Sequence, residues 1–227
     1  MSDMRCPGGL RPGQLSLLVL RRVIMGDIAA TIVHLAQRGV LAVTDQDDGW
    51  RVRVLPGQAA GRGQPELLGY ERELLAALPM LADGSAGPSL PELAARIGSR
   101  LDRVRVDLEK EAVHRGWVHH WHRGELTDSG EALVAELGKF GRKLGRLKAE
   151  SGDEAVTGDL LPYALRFHLV ARDQVPLARF ATAWGVAFAG LPGWKAPEYK
   201  HPQYDDSGWI KADEINILRA AKGLPQW

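Results

Sequence analysis

The chain carries almost none of the features that announce a chemistry. Its 227 residues include one cysteine, Cys6, which excludes an internal disulfide framework and a cysteine-rich zinc site. No apolar run approaches the roughly 18–20 residues a membrane-spanning helix needs. The opening MSDMRCPGG has no signal-peptide core, so a cytoplasmic location is expected. An excess of one charge is missing too: Lys plus Arg is 29 and Asp plus Glu is 28, net +1. That balance excludes the wholly basic footprint of many nucleic-acid binders and the composition of an acidic disordered chain. HExxH, GxSxG and a GxGxxG following a strand are all absent. Cys6 lies in a Pro/Gly-rich lead expected to be mobile, where a catalytic thiol is hard to hold. No catalytic residue and no cofactor is expected.

What is present is the composition of a folded protein, with 45% apolar and 25% charged residues. Charge is segregated along it. Residues 1–63 carry 8 basic and 5 acidic groups, net +3, and residues 64–137 carry 8 and 13, net −5. Residues 138–150 carry 5 and 1, net +4; residues 151–227 carry 8 and 9, net −1. In the first stretch LSLLVLRRV reads as a buried helix. A second helix is expected in GDIAATIVHLAQRGVLAV, with Asp27 as N-cap, Ile28, Ile32 and Leu35 on one face and Gly39 as the stop. VLAV and WRVRVL then flank an Asp-rich turn closed by Gly49, a hairpin. Helix, helix and hairpin are the skeleton of a winged helix.

After the connector 56–65, which has no large apolar residue, the order repeats. LLGYERELLAALPML is a helix; LPELAARIG is another, with Ser89 as N-cap and Pro91 in its first turn. Ser99 is expected to cap a third, whose stripe is Leu101, Val104, Leu108 and Ala112. A hairpin around Arg123-Gly124 follows. The helix from Glu131 to about Ala149 carries Leu133, Leu137, Phe140, Leu144 and Leu147, spaced 4, 3, 4 and 3. DLLPYALRFHLVARD and VPLARFATAWGVAF read as two more helices, and KADEINILRAAKG as a last one. The expected fold is mainly α with small β-hairpins: a first winged-helix-like unit at 1–63, a second at 64–137, and a helical C-terminal extension at 138–227.

Arg11 to Gly13, Asp27 to Thr31, Leu35, Arg38 and Gly39, then Leu126, Thr127 and Gly130, Phe140 to Leu144, Leu160 to Ala164, and Trp184 form an ordered set of short motifs. Over roughly residues 10–194 this set resembles the C-terminal cytoplasmic region of predicted bacterial membrane proteins in the domain-of-unknown-function family 2207. The resemblance implies the fold and says little about activity.

Five constellations bear on function. His114, His119, His120 and His122 have no cysteine or carboxylate at ligand spacing and read as an aromatic-rich hairpin with Trp117 and Trp121, so no metal is expected. DQDDG at 45–49 has the wrong spacing for a calcium loop and no downstream Glu. Arg96, Arg100, Arg103 and Arg105, with Arg51 and Arg53 of the first hairpin, are candidates for nucleic acid. Asp102, Asp107, Glu109 and Glu111 interleave with them, and pairs such as Arg103 with Asp107 describe a solvated face instead. Lys139, Arg142, Lys143 and Arg146 on the basic helix, and Trp184, Trp194 and Trp209 in the aromatic-rich end, are candidates for a partner surface.

The expectation is therefore a non-enzymatic interaction protein that recognises a protein or peptide through tandem winged-helix surfaces. Peripheral contact of the basic helix with an anionic membrane is a further option. The alternative is a winged-helix DNA-binding regulator. A third reading is an enzyme or accessory factor of a biosynthetic pathway, with a pocket lined by His168, Trp184 and aromatics near the end of the chain.

Overall fold

The computed structural model describes residues 4–21, 23–47, 49–55, 66–78, 87–119, 125–152, 156–167, 169–170 and 176–189. The expectations for the connector 56–65, for Arg123-Gly124, and for His120, His122, His168, Trp194, Trp209 and the last helix fall outside them. Among the described residues the protein is mainly helical, with eight α-helices and one two-stranded antiparallel hairpin.

Two 3-10 turns, Pro7–Gly9 and Pro12–Gln14, lead into α1, Leu15–Leu20. Arg21 ends α1 in the left-handed region at φ 57°. Helix α2, Met25–Gln37, is the centre of the molecule: every residue from Asp27 to Val33 is buried, as is Leu35. Its start corrects the expectation for Asp27. Ile24 is the N-cap, and Asp27 lies three residues inside, where its Oδ2 accepts the Ile24 N–H at 2.8 Å. The end is as the glycine suggested. Gly39 has φ 70°, its N–H donates to Ala36, and the Val40 N–H donates to Leu35, the paired bonds of a Schellman stop.

Strands β1, Leu41–Gln46, and β2, Gly49–Val54, pair from Leu41↔Val54 to Gln46↔Gly49, with Gly49 at φ 112° closing the turn. A single bridge adds Ser89 beside Arg51, so the residue before α4 lies against the first hairpin. The next helices are α3, Gly69–Ala76, α4, Leu90–Gly98, and α5, Leu101–His114. Ser89 caps α4 as expected, with Glu92 accepting from its N–H and hydroxyl at 2.8 Å. Ser99 does not cap α5. Its hydroxyl donates to the Arg96 carbonyl at 2.8 Å and so closes α4, and Arg100 stands at the N-cap of α5. Helix α5 buries Val104, Leu108 and Ala112 and packs on α3.

Val118 bridges Leu126, and Thr127 then caps α6, Asp128–Ser151, accepting the Gly130 N–H at 3.1 Å. The helix starts three residues before Glu131 because Gly130 lets it abut the preceding chain. A Cβ there would lie 2.0 Å from the Trp117 carbonyl oxygen. At about 1.5 Å per residue its 24 residues span about 36 Å. Helices α7, Leu161–Arg166, and α8, Pro176–Ala189, pack on α2. One hydrophobic core runs through the whole, from Leu10 and Ile32 through Tyr70 and Leu108 to Leu144 and Trp184. No helix among the described residues is long and apolar enough to cross a membrane.

Candidate functional site

Two buried carboxylates organise the interior, and neither was foreseen in that role. Glu71 is fully buried at the third position of α3, where its Oε2 accepts the Leu68 N–H at 2.9 Å. It also accepts from Arg11 and from Arg38 Nη1 at 3.2 Å, while both guanidiniums donate to the Glu66 carbonyl. Asp27, equally buried, accepts from the Ser16 hydroxyl at 2.8 Å and from Arg166 Nε at 2.9 Å. Burial pushes the Asp27 carboxyl above its ordinary range, and Arg166, the Ile24 N–H and Ser16 pull it back. Beside the Glu71 layer, burial together with Arg38 and Arg11 lowers His34 to about 4. Tyr70 and Tyr163 are both raised by burial, and the Tyr163 hydroxyl donates to the Leu10 carbonyl at 2.8 Å. Gly13 lies against Tyr70, where a Cβ would sit 2.4 Å from Thr31 Oγ1 and 2.9 Å from the Tyr70 ring.

Acid–base chemistry needs a carboxyl that a substrate can reach. Glu71 and Asp27 have no exposed side-chain surface and are already paired. Their partners come from distant parts of the chain, so the arrangement joins segments. A sequence signal existed for Glu71: it occupies the stripe Leu67/Leu68, Glu71, Leu74/Leu75, Leu78 at helical spacing, where a lone charge needs a partner. Cys6 also departs from the mobile lead expected of it. It is half-buried beside the core, and burial pushes its thiol up to about 12. Among the described residues no group of three or more His, Cys, Asp or Glu is placed to hold a metal; His114 and His119 are both exposed.

The arginines of the nucleic-acid reading do not form one free cluster. Arg100 pairs with Glu73 at 3.2 Å, and Arg105 lies 3.7 Å from Asp102 and 3.9 Å from Glu109. Arg96 and Arg103 are exposed on α4 and α5. Asp107 pairs with Lys110 at 3.9 Å, where Arg103 was the expected partner. Arg51 and Arg53 lie on β2 and are half-buried. The hairpin that carries them is held by α8: Trp50 meets Phe180 edge-on at 5.7 Å, and Arg179 pairs with Asp45 at 3.5 Å. Trp184, expected on a partner surface, is 1% exposed in the core and stacks on Phe180, because α8 turns that face inward.

Helix α6 separates its faces. Leu133, Leu137, Phe140, Gly141 and Leu144 are buried, and Phe140 meets Tyr163 and Phe167 edge-on at 5.6 and 6.1 Å. Lys139, Lys143 and Arg146 are exposed and Arg142 is half-buried. Lys139 reaches back to Glu136 at 2.6 Å, and Lys148 donates to the Leu169 carbonyl. Among the described residues no carboxylate lies within ion-pair distance of Arg142, Lys143 or Arg146. A second surface feature is a groove of about 600 Å³ between α2, the end of α7 and α8, lined mostly by small and apolar side chains.

Among the described residues, these features define a helical protein with an internally paired core, a basic face on α6 where Arg142, Lys143 and Arg146 have no carboxylate at ion-pair distance, and an apolar groove. Comparison with known proteins adds no relative: no family model, no curated protein and no solved structure matches the chain.

Proposed function

We propose that the protein is a non-enzymatic interaction module that recognises an acidic protein or peptide surface through the outward face of α6. One observation carries the reading. Arg100 and Arg105 are tied to carboxylates, whereas Arg142, Lys143 and Arg146 present positive charge with no carboxylate at ion-pair distance. Complementary charge of that kind steers association and selects partners. The scaffold in this proposal is a pair of winged-helix units: α1, α2 and the β1–β2 hairpin, then α3, α4, α5 and the Val118–Leu126 ladder. The order of elements supports it, as does the position of the α4–α5 turn. Kinship with family 2207 belongs to the same proposal. Its support is that residues which carry the resemblance make the internal contacts: Arg11 and Arg38 bind Glu71, Gly13 packs on Thr31 beside Tyr70, and Tyr163 bonds the Leu10 carbonyl.

The DNA-binding reading draws on the exposure of Arg96 and Arg103 on consecutive helices. Against it stand the burial of α2, which leaves the first unit no helix to enter a groove, and the acidic turn of its hairpin. Anisotropy titrations at two salt concentrations separate the readings, using a labelled oligo-glutamate peptide and a mixed-sequence duplex. Binding of the peptide, weakened at least ~10-fold by Lys143→Glu with Arg146→Glu, is the expected result. Tighter binding of the duplex, with a steep salt dependence, overturns it.

A further inference from the structure

The groove between α2, α7 and α8 has no role in the surface proposed above. Gly26 and Ala30 form one wall, Ala181 and Gly185 the other, and Val186 stands at the rim 70% exposed. Small side chains on both walls let another backbone approach closely, the geometry of a helix laid in a groove. A Cβ added at Gly185 would meet nothing within 4 Å, so the space beside it is open. At one end stand the N-terminus of α2 and the Arg166 guanidinium, whose Nη1 lies 3.0 Å from a Cβ placed on Gly26. Arg166 is paired there with Asp27 through Nε, so what that end offers a ligand is the Nη1 donor beside Gly26, which suits an acceptor oxygen.

We propose that the groove is the seat of this chain's own segment 210–224. The wall helix α8 ends at Ala189, and the sequence runs on from that point for 38 residues, 190–227. Within it Ile210, Ile217, Ala221 and Leu224 are spaced 7, 4 and 3, the repeat of a peptide anchored along one helical face. Asp213 and Glu214 precede the core of that stripe and supply acceptor oxygens for the Arg166 donor at that end of the groove. About 20 residues separate Ala189 from Ile210 and reach at most about 70 Å, so the tether does not limit docking. Tethering also gives the segment an effective concentration that a free competitor must exceed.

Hydrogen exchange measured by mass spectrometry on the full chain tests this. Amides of 211–222 are expected to exchange at least ~10-fold slower than unprotected amides, at every protein concentration. Gly185→Trp, which fills the groove, and Ile217→Asp with Leu224→Asp, which spoils the stripe, are each expected to remove that protection while α2 stays protected. Free exchange of 211–222 in the unaltered chain overturns the proposal, and so does protection that survives Gly185→Trp. Protection that grows with protein concentration overturns it as well, and gives the groove to a second copy of the chain.

Discussion

Replacing Glu71 by Gln removes one charge from the interior and leaves two behind. Glu71 has no exposed side-chain surface, while Arg11 and Arg38 keep 19% and 15% of theirs. The amide retains one acceptor oxygen for the Leu68 N–H or for a guanidinium, and turns its NH2 group toward donors that need acceptors. Breaking a buried pair from one side costs about 3–5 kcal/mol, because the orphaned charge stays desolvated. The residual exposure of the two arginines permits partial rehydration, which places Glu71→Gln near the lower bound, about 3 kcal/mol. For a chain of this size that is a fall in Tm of about 6–12 °C, with the urea midpoint lowered and the slope unchanged. The control is Glu111→Gln, which breaks an exposed i, i+4 pair with Arg115 at 2.6 Å and is expected to cost about 0.5 kcal/mol. In a double-mutant cycle, Glu71→Gln with Arg38→Met should couple by about 1 kcal/mol or more. If Glu71→Gln costs no more than Glu111→Gln, the layer does not join the segments it touches and the reasoning fails.

Three further outcomes are expected. Gly13→Ala should destabilise by about 1–3 kcal/mol in urea unfolding, since its Cβ would lie 2.4 Å from Thr31 Oγ1 in a filled interior; a change within about 0.5 kcal/mol contradicts the packing. His34 titrates at about 4 when folded and near 6.5 when unfolded, so the unfolded chain alone takes up that proton in between. Its contribution to stability is full above about pH 6.5 and is lost on acidification to about 4, and His34→Gln should flatten that part of the profile. Cys6, the one thiol in the chain and raised to about 12, should react with a thiol reagent at pH 8 at least ~10-fold more slowly in the native chain than in urea; equal rates would show the N-terminal lead to be open.

Features decided within a few residues were legible in the sequence. Gly39 stops α2, Gly49 closes the hairpin, Ser89 with Glu92 starts α4, and the stripe from Leu133 to Leu144 is the buried face of α6. Asp27 shows where local reasoning ends. An Asp before an apolar run is a good N-cap, yet Asp27 sits at the third position of α2, where its carboxylate bonds the Ile24 N–H locally and also Arg166, 139 residues on, a partner that no local pattern shows. Ser99 was read forward as a cap for α5 and acts backward on α4, since a hydroxyl between two helices serves either with equal local chemistry. Trp184 could be placed on a helix but not on a face of the molecule, because which side of α8 is covered depends on Trp50 and the hairpin.

The balance of charge carries the functional argument. The two fully buried carboxylates are opposed by arginines brought from elsewhere: Glu71 by Arg11 and Arg38, Asp27 by Arg166. On α5 the opposition is local, one helical turn apart. These two modes tie up Arg11, Arg38, Arg105 and Arg115 among the basic residues of the first 137, so part of the near-zero total describes pairs already made. The stretch 138–150 has five cations and a single carboxylate, Glu150. Its apolar face is committed to Tyr163 and Phe167, which fixes the opposite face outward. A face so fixed, and carrying positive charge that no described carboxylate within ion-pair distance matches, is where an acidic partner gains most and where charge reversal should matter most.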